Sequence, residues 1–413
     1  MGLAEELAVR NRGEAGAERP LAAEWGVKGT VVNTQSGAVA SDSPQFSPLL
    51  GLTWLHFLND GAANYLPGIL PALLLALHQD PSMAGTVVAA LYIGQTLQVI
   101  TGWWADRVGG RLFIVAGVLG SSIAAAAIGL APNIWVLIPA LIAIGVSSSV
   151  FHPQALAGAH QLSGTRRGIG MSLFLIGGEI GRGLWPLIAS LVVVSLGLHY
   201  LWLLALPALF SVPLLWNTLP RQAPRHPQAR PIEWRRHLGP MSALVGFSVL
   251  RSLTLYGVIT YLPILWHQRG LSLTEGAALI TVLLLVGIVG NFGGGHIADR
   301  IARRPMLVGC SVLSALLLTL FMLSHGVWQW IIVGLLGVSL FATMPLRILI
   351  GQDIFPENRS LGSGIALGLS NGLAAVGLSG LGLIAAARGT EAVLWLLVGT
   401  ALLAGAASIG LPG

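Results

Sequence analysis

Four charged residues interrupt apolar stretches of the sequence that are long enough to cross a bilayer: Asp60, Glu179, Arg182 and Arg251. On insertion scales an ionised side chain at the bilayer centre costs about 2.5–3.5 kcal/mol, so such a residue normally faces a partner or a water-filled cavity. The protonation of a carboxyl group there depends on its burial and on the nearest arginine. The four residues therefore predict a site for proton transfer or for a charged small molecule, with static ion pairs as the alternative.

The spacing of these residues indicates which of them meet. Glu179 and Arg182 lie three residues apart on one face of a predicted helix, so the pair could be static or could take part in coupling. His56 lies one turn before Asp60 on the same helix face. The helix that carries Glu179 is predicted to pack closely against its neighbours through four glycines, at positions 177, 178, 181 and 183.

The composition is that of a polytopic membrane protein. Of the 413 residues, 54% are hydrophobic and 9% are charged, whereas about a quarter of the residues in soluble domains are charged. The net charge of +6 comes from arginines in short segments between apolar stretches, a pattern typical of topology signals and not of nucleic-acid binding. A single cysteine, Cys310, excludes an intramolecular disulfide. The sequence has no Walker pattern, so ATP is not the predicted energy source and no cofactor is expected.

Apolar segments of about 20 residues, the length that spans a bilayer, follow one another with short breaks. They predict an all-α integral membrane protein with twelve transmembrane helices. The approximate spans are 48–77, 83–104, 111–131, 134–158, 168–195, 198–219, 240–267, 273–297, 305–325, 328–352, 361–386 and 390–411.

Positive charge alternates between successive loops. The loops that follow even-numbered helices carry most of the arginines, whereas the opposite loops carry Arg269 and Arg388. Because loops rich in arginine stay in the cytoplasm, both termini are predicted to be cytoplasmic. The arginines of the first group are Arg107, Arg111, Arg166, Arg167, Arg221, Arg225, Arg230, Arg235, Arg236, Arg300, Arg303, Arg304 and Arg359.

The sequence repeats itself after half its length. The segment Gly102–Arg111 (GWWADRVGGR) recurs as Gly295–Arg304 (GHIADRIARR). This recurrence predicts two six-helix halves in parallel orientation. The predicted domains are a disordered cytoplasmic tail at 1–47 without a signal peptide, an N-terminal bundle at 48–219, a cytoplasmic linker at 220–239 and a C-terminal bundle at 240–413.

The repeated loop, in its two positions, resembles the signature of the major facilitator superfamily. The resemblance implies two pseudo-symmetric six-helix bundles, the major facilitator fold. An aspartate in each loop can cap a neighbouring helix or pair with an arginine across the halves, which would favour one access state. The gating residues predicted in these loops are Asp106, Arg107, Arg111, Asp299 and Arg300.

A closer resemblance is to the fosmidomycin-resistance family of drug exporters within that superfamily. It is carried by His56-Phe-Leu-Asn-Asp60, Phe151-His-Pro153, Ser172-Leu-Phe followed by Gly177-Gly178 and Pro186, and Arg251 ahead of Tyr261-Leu-Pro263. Membership implies proton-driven efflux of small molecules and drug resistance. The sequence departs from the family pattern at Glu179, Arg182 and Trp185, where an amide and small residues are expected.

Further residues are assigned by their depth in the predicted helices. Asn64, Tyr65, Tyr256 and Tyr261 are added to the proton and substrate site. His152, Arg347 and Asp353 lie near the predicted cytoplasmic ends of the fourth and tenth helices and are assigned to gating.

The combined prediction is a secondary active transporter of the bacterial cytoplasmic (inner) membrane, an antiporter that exports a small anionic or zwitterionic molecule or drug by alternating access. It binds substrate and protons, not nucleic acid, and acts as a monomer in the lipid bilayer. The alternatives are an uptake or facilitated-diffusion permease for a metabolite, and a non-transporting receptor or lipid-handling protein on the same fold. The sequence shows no combination of nucleophile and general base that would indicate an enzyme. His56, Asp60 and His152 could in principle bind a metal ion, but the sequence has no H-E-x-x-H motif, so no metal site is predicted.

Overall fold

A computed structural model describes residues 44–98, 100–101, 104, 110–221, 234–298, 302–356 and 359–411. Within these residues all regular secondary structure is helical, so the predicted all-α fold class is confirmed. The described residues all belong to one compact unit. Most of the predicted tail and most of the predicted linker lie outside the described residues.

The α-helices are numbered here in chain order. They are α1 (Phe46–Asn64), α2 (Leu66–Ala76), α3 (Met83–Gln95), α4 (Arg111–Ile128), α5 (Ile134–Leu162), α6 (Arg167–Leu196), α7 (Leu206–Leu215), α8 (Trp234–Gln268), α9 (Leu273–Ala298), α10 (Arg303–Leu323), α11 (Val327–Ala342), α12 (Met344–Ile354), α13 (Arg359–Gly364) and α14 (Ser370–Ser408). A 3-10 helix at Leu198–Ala205 precedes α7, and a π-helix at Ile365–Leu369 joins α13 to α14.

Prolines and glycines divide several of the predicted spans. The first span is split at Tyr65 into α1 and α2, with Pro67 in the first turn of α2, where its missing N–H costs no helical hydrogen bond. Within α14, Gly389 has φ 84°, a conformation that glycine adopts without strain. The eleventh and twelfth predicted spans meet at this glycine.

In the described part of the chain, nine helical segments are long and apolar enough to cross a membrane. One of these, Leu361–Ser408, contains the two helices that meet at Gly389. The helix α3 has 13 residues and is too short to be counted. The number twelve therefore stays a prediction, and so do the predicted domain boundaries.

The helices of each half pack mainly among themselves. In the first half α1 lies against α6 and α4 against α5, while in the second half α8 lies against α14 and α9 against α11. The halves meet where α6 contacts α9, where α3 contacts α14, and where α2 contacts α8 and α9. At the start of α3, a Cβ on Gly85 would overlap the backbone carbonyl of Leu378. The halves are therefore in direct contact at the end of the bundle that carries the 77–82 turn.

Candidate functional site

Asp60 is the centre of a buried cluster of charged side chains from three helices. It lies in α1 and its side chain is 4% exposed. Nε2 of His152 in α5 lies 3.2 Å from Oδ1, and Nη2 of Arg182 in α6 lies 3.4 Å from Oδ2. Nε2 of His56, one turn earlier in α1, lies 3.5 Å from Oδ2. A buried carboxylate without partners is strongly destabilising, and these three neighbours can all carry the positive charge that offsets this cost.

A hydrogen-bonded amide holds the carboxylate of Asp60 from its remaining side. Asn59 donates from Nδ2 to Oδ1 of Asp60 at 3.1 Å and to Oγ of Ser148 at 3.3 Å. The carbonyl oxygen of the same amide accepts a hydrogen bond of 3.1 Å from the hydroxyl of Ser121 in α4. Because Ser121 and Ser148 fix the orientation of this amide, its NH₂ group faces the carboxylate. Residues of α4 and α5 thus orient the Asn59 amide that donates to Asp60.

The ring of His56 occupies space that a glycine leaves open. It stacks on Phe174, with ring centroids 4.2 Å apart, and its Nδ1 lies 2.8 Å from the Phe174 carbonyl oxygen. A Cβ on Gly178 would overlap the ring. Phe174 and Gly178 both belong to α6, so the glycine-rich face of α6 lets it approach α1 and hold His56 beside Asp60.

The pair formed by Glu179 and Arg182 belongs to the same cluster. Nη1 of Arg182 lies 3.4 Å from each carboxylate oxygen of Glu179, while Nη2 faces Asp60. One guanidinium group therefore bridges two carboxylates. The Arg182 and Glu179 side chains are 25% and 14% exposed, so this is a more accessible part of the cluster than Asp60.

The second half carries two further buried guanidinium groups. Arg251 in α8 donates from Nη2 to the Leu340 carbonyl at 2.5 Å and from Nε to Oγ1 of Thr343 at 3.1 Å. Arg347 in α12 is 1% exposed and donates from Nη1 to Oγ of Ser252 at 2.9 Å. Among the ion pairs of the described residues, neither arginine has a carboxylate within 4.0 Å. In the part of the chain that the structure describes, their hydrogen-bond acceptors are neutral groups.

An aromatic stack joins the two halves between these clusters. Tyr92 in α3 and Tyr256 in α8 stack with ring centroids 4.0 Å apart and an angle of 16° between the rings. Tyr256 is close enough to Arg182, Arg251 and Arg347 to interact electrostatically with each of them. Charged groups from both halves therefore lie around this stack.

The other predicted cavity residues have different surroundings. Tyr65 is buried and donates to the carbonyl of Ala125 at 2.5 Å, as a packed core residue does. Tyr261 is fully buried where α3 meets α14. Asn64 donates to the backbone carbonyl of Asp60 at 2.8 Å and does not contact its carboxylate.

The predicted gate residues fall into several environments. Arg111 donates to the backbone carbonyl of Trp216 at 2.9 Å, and its guanidinium lies 3.8 Å from the centre of the indole ring. Asp353, at the end of α12, forms an exposed ion pair with Arg303 at the start of α10. Four further predicted gate residues lie outside the described residues: Asp106, Arg107, Asp299 and Arg300.

The remaining two predicted gate residues are part of the interior clusters described above. His152 contacts Asp60, and Arg347 contacts Ser252. The structure therefore places these two residues beside the proton and substrate candidates, and the roles predicted for both groups stay predictions.

His56, Asp60 and His152 offer three ligand atoms that lie within 4.8 Å of one another. Two imidazole nitrogens and a carboxylate oxygen are ligands that zinc accepts. However, Arg182 contacts Asp60 directly, and its fixed positive charge opposes a cation at this position. The prediction that the protein holds no metal stays a prediction.

Sequence reasoning missed the groups that orient the charged side chains, namely the hydroxyls of Ser121, Ser148 and Ser252 and the carbonyl of Phe174. Serine is common in membrane helices, so its presence alone was no signal. Ser148 lies one turn before His152 on the same helix face, and this spacing was the one available indication.

Buried, mutually facing charges inside a bundle of apolar helices of spanning length define a class of protein, the polytopic membrane transporter. The family model described as Major Facilitator Superfamily matches residues 52–366 and 243–412. The chain belongs to the major facilitator superfamily, whose members are secondary transporters and not enzymes. The family predicted from the repeated loop is confirmed.

Two curated relatives cover most of the chain. It is 25% identical over 356 residues to YfnC, an uncharacterized MFS-type transporter of Bacillus subtilis (strain 168), with 81% of this chain and 85% of YfnC covered. It is 24% identical over 365 residues to the fosmidomycin resistance protein of Escherichia coli (strain K12), with 85% and 90% covered. The resemblance predicted from the motifs around His56 and Phe151 is therefore confirmed.

A solved structure has the same fold. A bacterial homolog to the human lysosomal transporter Spinster, in an inward-facing and occupied conformation, superposes with a TM-score of 0.72 at 15% identity, covering 89% of this chain and 97% of that one. At this identity the likeness shows the fold alone.

Proposed function

We propose that this protein is a proton-coupled antiporter that exports a small anionic or zwitterionic molecule by alternating access. The observation that carries the proposal is the contact of buried Asp60 with two imidazole rings and one guanidinium group. A transporter without an ATP site needs a group that takes up and releases protons, and carboxyl and imidazole groups do this near neutral pH when their surroundings change.

The charges of the two halves support the choice of substrate. The first half presents two carboxylates with one guanidinium between them, whereas Arg251 and Arg347 in the second half have no carboxylate partner among the described residues. An acidic substrate group would complement these two arginines. A basic group on the same molecule would compete with protons for Asp60 and Glu179. Exchange requires that substrate and protons bind alternately and not together. A zwitterion of this kind meets that requirement.

The export direction is supported by the likeness to a protein named for fosmidomycin resistance. The rival is an uptake permease for a simple anion. If protonation of Asp60 and its histidines strengthened substrate binding, substrate and protons would move together, whereas exchange requires that protonation weakens substrate binding. The two functions therefore differ in the sign of the pH effect on substrate binding.

The test is proton flux in proteoliposomes that enclose a pH-sensitive dye and carry an imposed pH gradient, with fosmidomycin as the added probe. We expect the wild type to show probe-dependent proton movement and Asp60→Asn to show none. Asp80→Asn is the matched control, because Asp80 lies in the exposed 77–82 turn, where hydrogen bonds from Ser82 hold the pKa of its carboxyl group below its usual value. Equal proton flux in Asp60→Asn and the wild type would exclude Asp60 as the coupling group.

The proposal includes a bacterial cytoplasmic membrane location, cytoplasmic termini and a monomeric transporter. The arginine-rich loops of the sequence support this orientation, and both named relatives are bacterial. The orientation is tested by fusing to the C-terminus a fluorescent protein that folds only in the cytoplasm. Fluorescence is expected, and its absence would indicate the opposite orientation.

A further inference from the structure

The tautomers of two histidines in the Asp60 cluster are fixed by backbone carbonyl groups. Nδ1 of His56 lies 2.8 Å from the carbonyl oxygen of Phe174, and Nδ1 of His152 lies 2.7 Å from that of Ser148. A carbonyl oxygen can only accept a hydrogen bond, so Nδ1 carries the hydrogen in both rings. When either ring is neutral, Nε2 is therefore the nitrogen that bears a lone pair and no proton.

Both Nε2 atoms face the carboxylate of Asp60. The Nε2 of His152 lies 3.2 Å from Oδ1, and the Nε2 of His56 lies 3.5 Å from Oδ2. With two neutral rings and an ionised carboxylate, each contact would set one lone pair against another. A proton in each contact turns the repulsion into a charge-assisted hydrogen bond. The arrangement thus accommodates two protons in addition to those on the Nδ1 atoms.

The other groups that face Asp60 do not supply these protons. Asn59 donates to Oδ1 through an amide that does not titrate, and Arg182 contacts Oδ2 through a guanidinium that stays protonated. Glu179 lies against Arg182. The exchangeable protons next to the carboxylate therefore belong to Asp60, His56 and His152 themselves.

We propose that Asp60, His56 and His152 form a two-proton site, so that one transport cycle exchanges two protons. This inference rests on the proton coupling proposed above and adds its stoichiometry. The two protons are held either as two imidazolium groups on a carboxylate, or as one imidazolium and a carboxylic acid that donates to the other ring.

The exposure of the two rings sets the order of release. The His152 side chain is 22% exposed and that of His56 is 5% exposed. The Nε2–H bond of His152 breaks first; its proton passes to water and the electron pair stays on the nitrogen. The Nε2–H bond of His56 then breaks and its proton bonds to the Asp60 carboxylate, which turns and donates it to Nε2 of His152 for the second release. Uptake runs in the opposite order.

Nitrogen-15 NMR of the full chain, labelled at histidine and held in lipid nanodiscs after EDTA treatment, tests this directly. The His56 and His152 signals are assigned by their loss in His56→Gln and His152→Gln. At the pH of the transport assay we expect both Nδ1 atoms protonated and both Nε2 signals shifted away from the position of a bare nitrogen. In Asp60→Asn both Nε2 signals should move to that position.

Several results would overturn the two-proton site. One is an Nε2 on either ring of the wild type that neither carries a proton nor accepts a hydrogen bond, and another is an Nδ1 without hydrogen. A third is displacement of both Nε2 protons by equimolar ZnCl₂, which would indicate a metal site. If Asp60→Asn does not fold, His152→Gln tests the site by itself. In that variant the Nε2 of His56 should still carry a proton that is hydrogen-bonded to Asp60, and a bare Nε2 would overturn the proposal. The NMR measurement needs no substrate, so the two tests can fail separately. A failure of probe-dependent flux would count against the proposed function without affecting the NMR evidence for the two-proton site.

Discussion

Oδ1 of Asp60 in α1 and Nε2 of His152 in α5 lie 3.2 Å apart inside the bundle. The two residues come from different motifs of the sequence, and this contact joins them in one cluster. Ser148, which accepts hydrogen bonds from both Asn59 and the His152 ring, ties the two helices together at the same point. The cluster belongs to the first half of the protein, whereas Arg251 and Arg347, for which the described residues offer no carboxylate partner, belong to the second.

The close packing of α6 on α1 predicts that Gly178→Ala is destabilising. The added methyl group would overlap the His56 ring, and overpacking of this kind typically costs about 1–3 kcal/mol. We expect a lower Tm in detergent and, because the ring is displaced from Asp60, a loss of proton flux. Gly168→Ala in the same helix is the control, since its Cβ would meet nothing within 4 Å. Equal Tm values for the two variants would contradict the packing argument.

Arg347→Met should not destabilise the protein. Arg347 is 1% exposed and has no carboxylate partner among the described residues, so its charge carries a desolvation cost that methionine lacks. We expect an unchanged or higher Tm together with at least a tenfold loss of substrate affinity, about 1.4 kcal/mol. Thermal unfolding with and without the probe compound measures both. A large fall in Tm would mean that Arg347 is mainly structural.

Arg182→Met should have the opposite effect on stability. This change removes the guanidinium that contacts both Asp60 and Glu179, and loss of one partner from a buried ion pair typically costs about 3–5 kcal/mol. Because Arg182 is partly exposed, we expect the lower end of this range. Glu179→Gln should cost less, since Asp60 still holds the arginine. Equal Tm values for Arg182→Met and Arg347→Met would contradict the distinction between the two clusters.

The exposed pair of Arg303 with Asp353 predicts an effect on transport and little effect on stability. Surface ion pairs contribute about 0–1 kcal/mol. This pair, however, joins the start of α10 to the end of α12, and Arg303 belongs to the repeated segment Gly295–Arg304. We expect Arg303→Asp to slow transport and the charge swap Arg303→Asp with Asp353→Arg to restore it. If the double variant transports no faster than Arg303→Asp alone, the ion pair does not control the change between access states.

The proposed exchange of protons and substrate predicts a definite sign of pH dependence. Protons occupy the Asp60 cluster when the pH is low, so the affinity for a zwitterionic substrate should fall as the pH falls from 8 to 6. Asp60→Asn should remove most of this dependence. Isothermal titration at several pH values measures it. Tighter binding at low pH would favour the uptake permease, in which protons and substrate bind together.

The sequence by itself determined the class of the protein and the identity of most charged groups in the site. Apolar segments of spanning length, the arginine-rich loops and the recurrence of Gly102–Arg111 as Gly295–Arg304 are properties of one chain read in order. Asp60, Glu179, Arg182 and Arg251 were recognisable because a charge inside an apolar segment needs a partner or a cavity.

Only the tertiary structure decided which of these residues meet. His152 was assigned to gating from its position near the predicted cytoplasmic end of a helix, and only the structure shows that its ring contacts Asp60. The tautomers of His56 and His152 depend on backbone carbonyls that any sequence could offer. The physical reason is that periodicity fixes which residues share a helix face, while the partner across the interface is set by how closely two helices pack, here through Gly178 of α6 against α1.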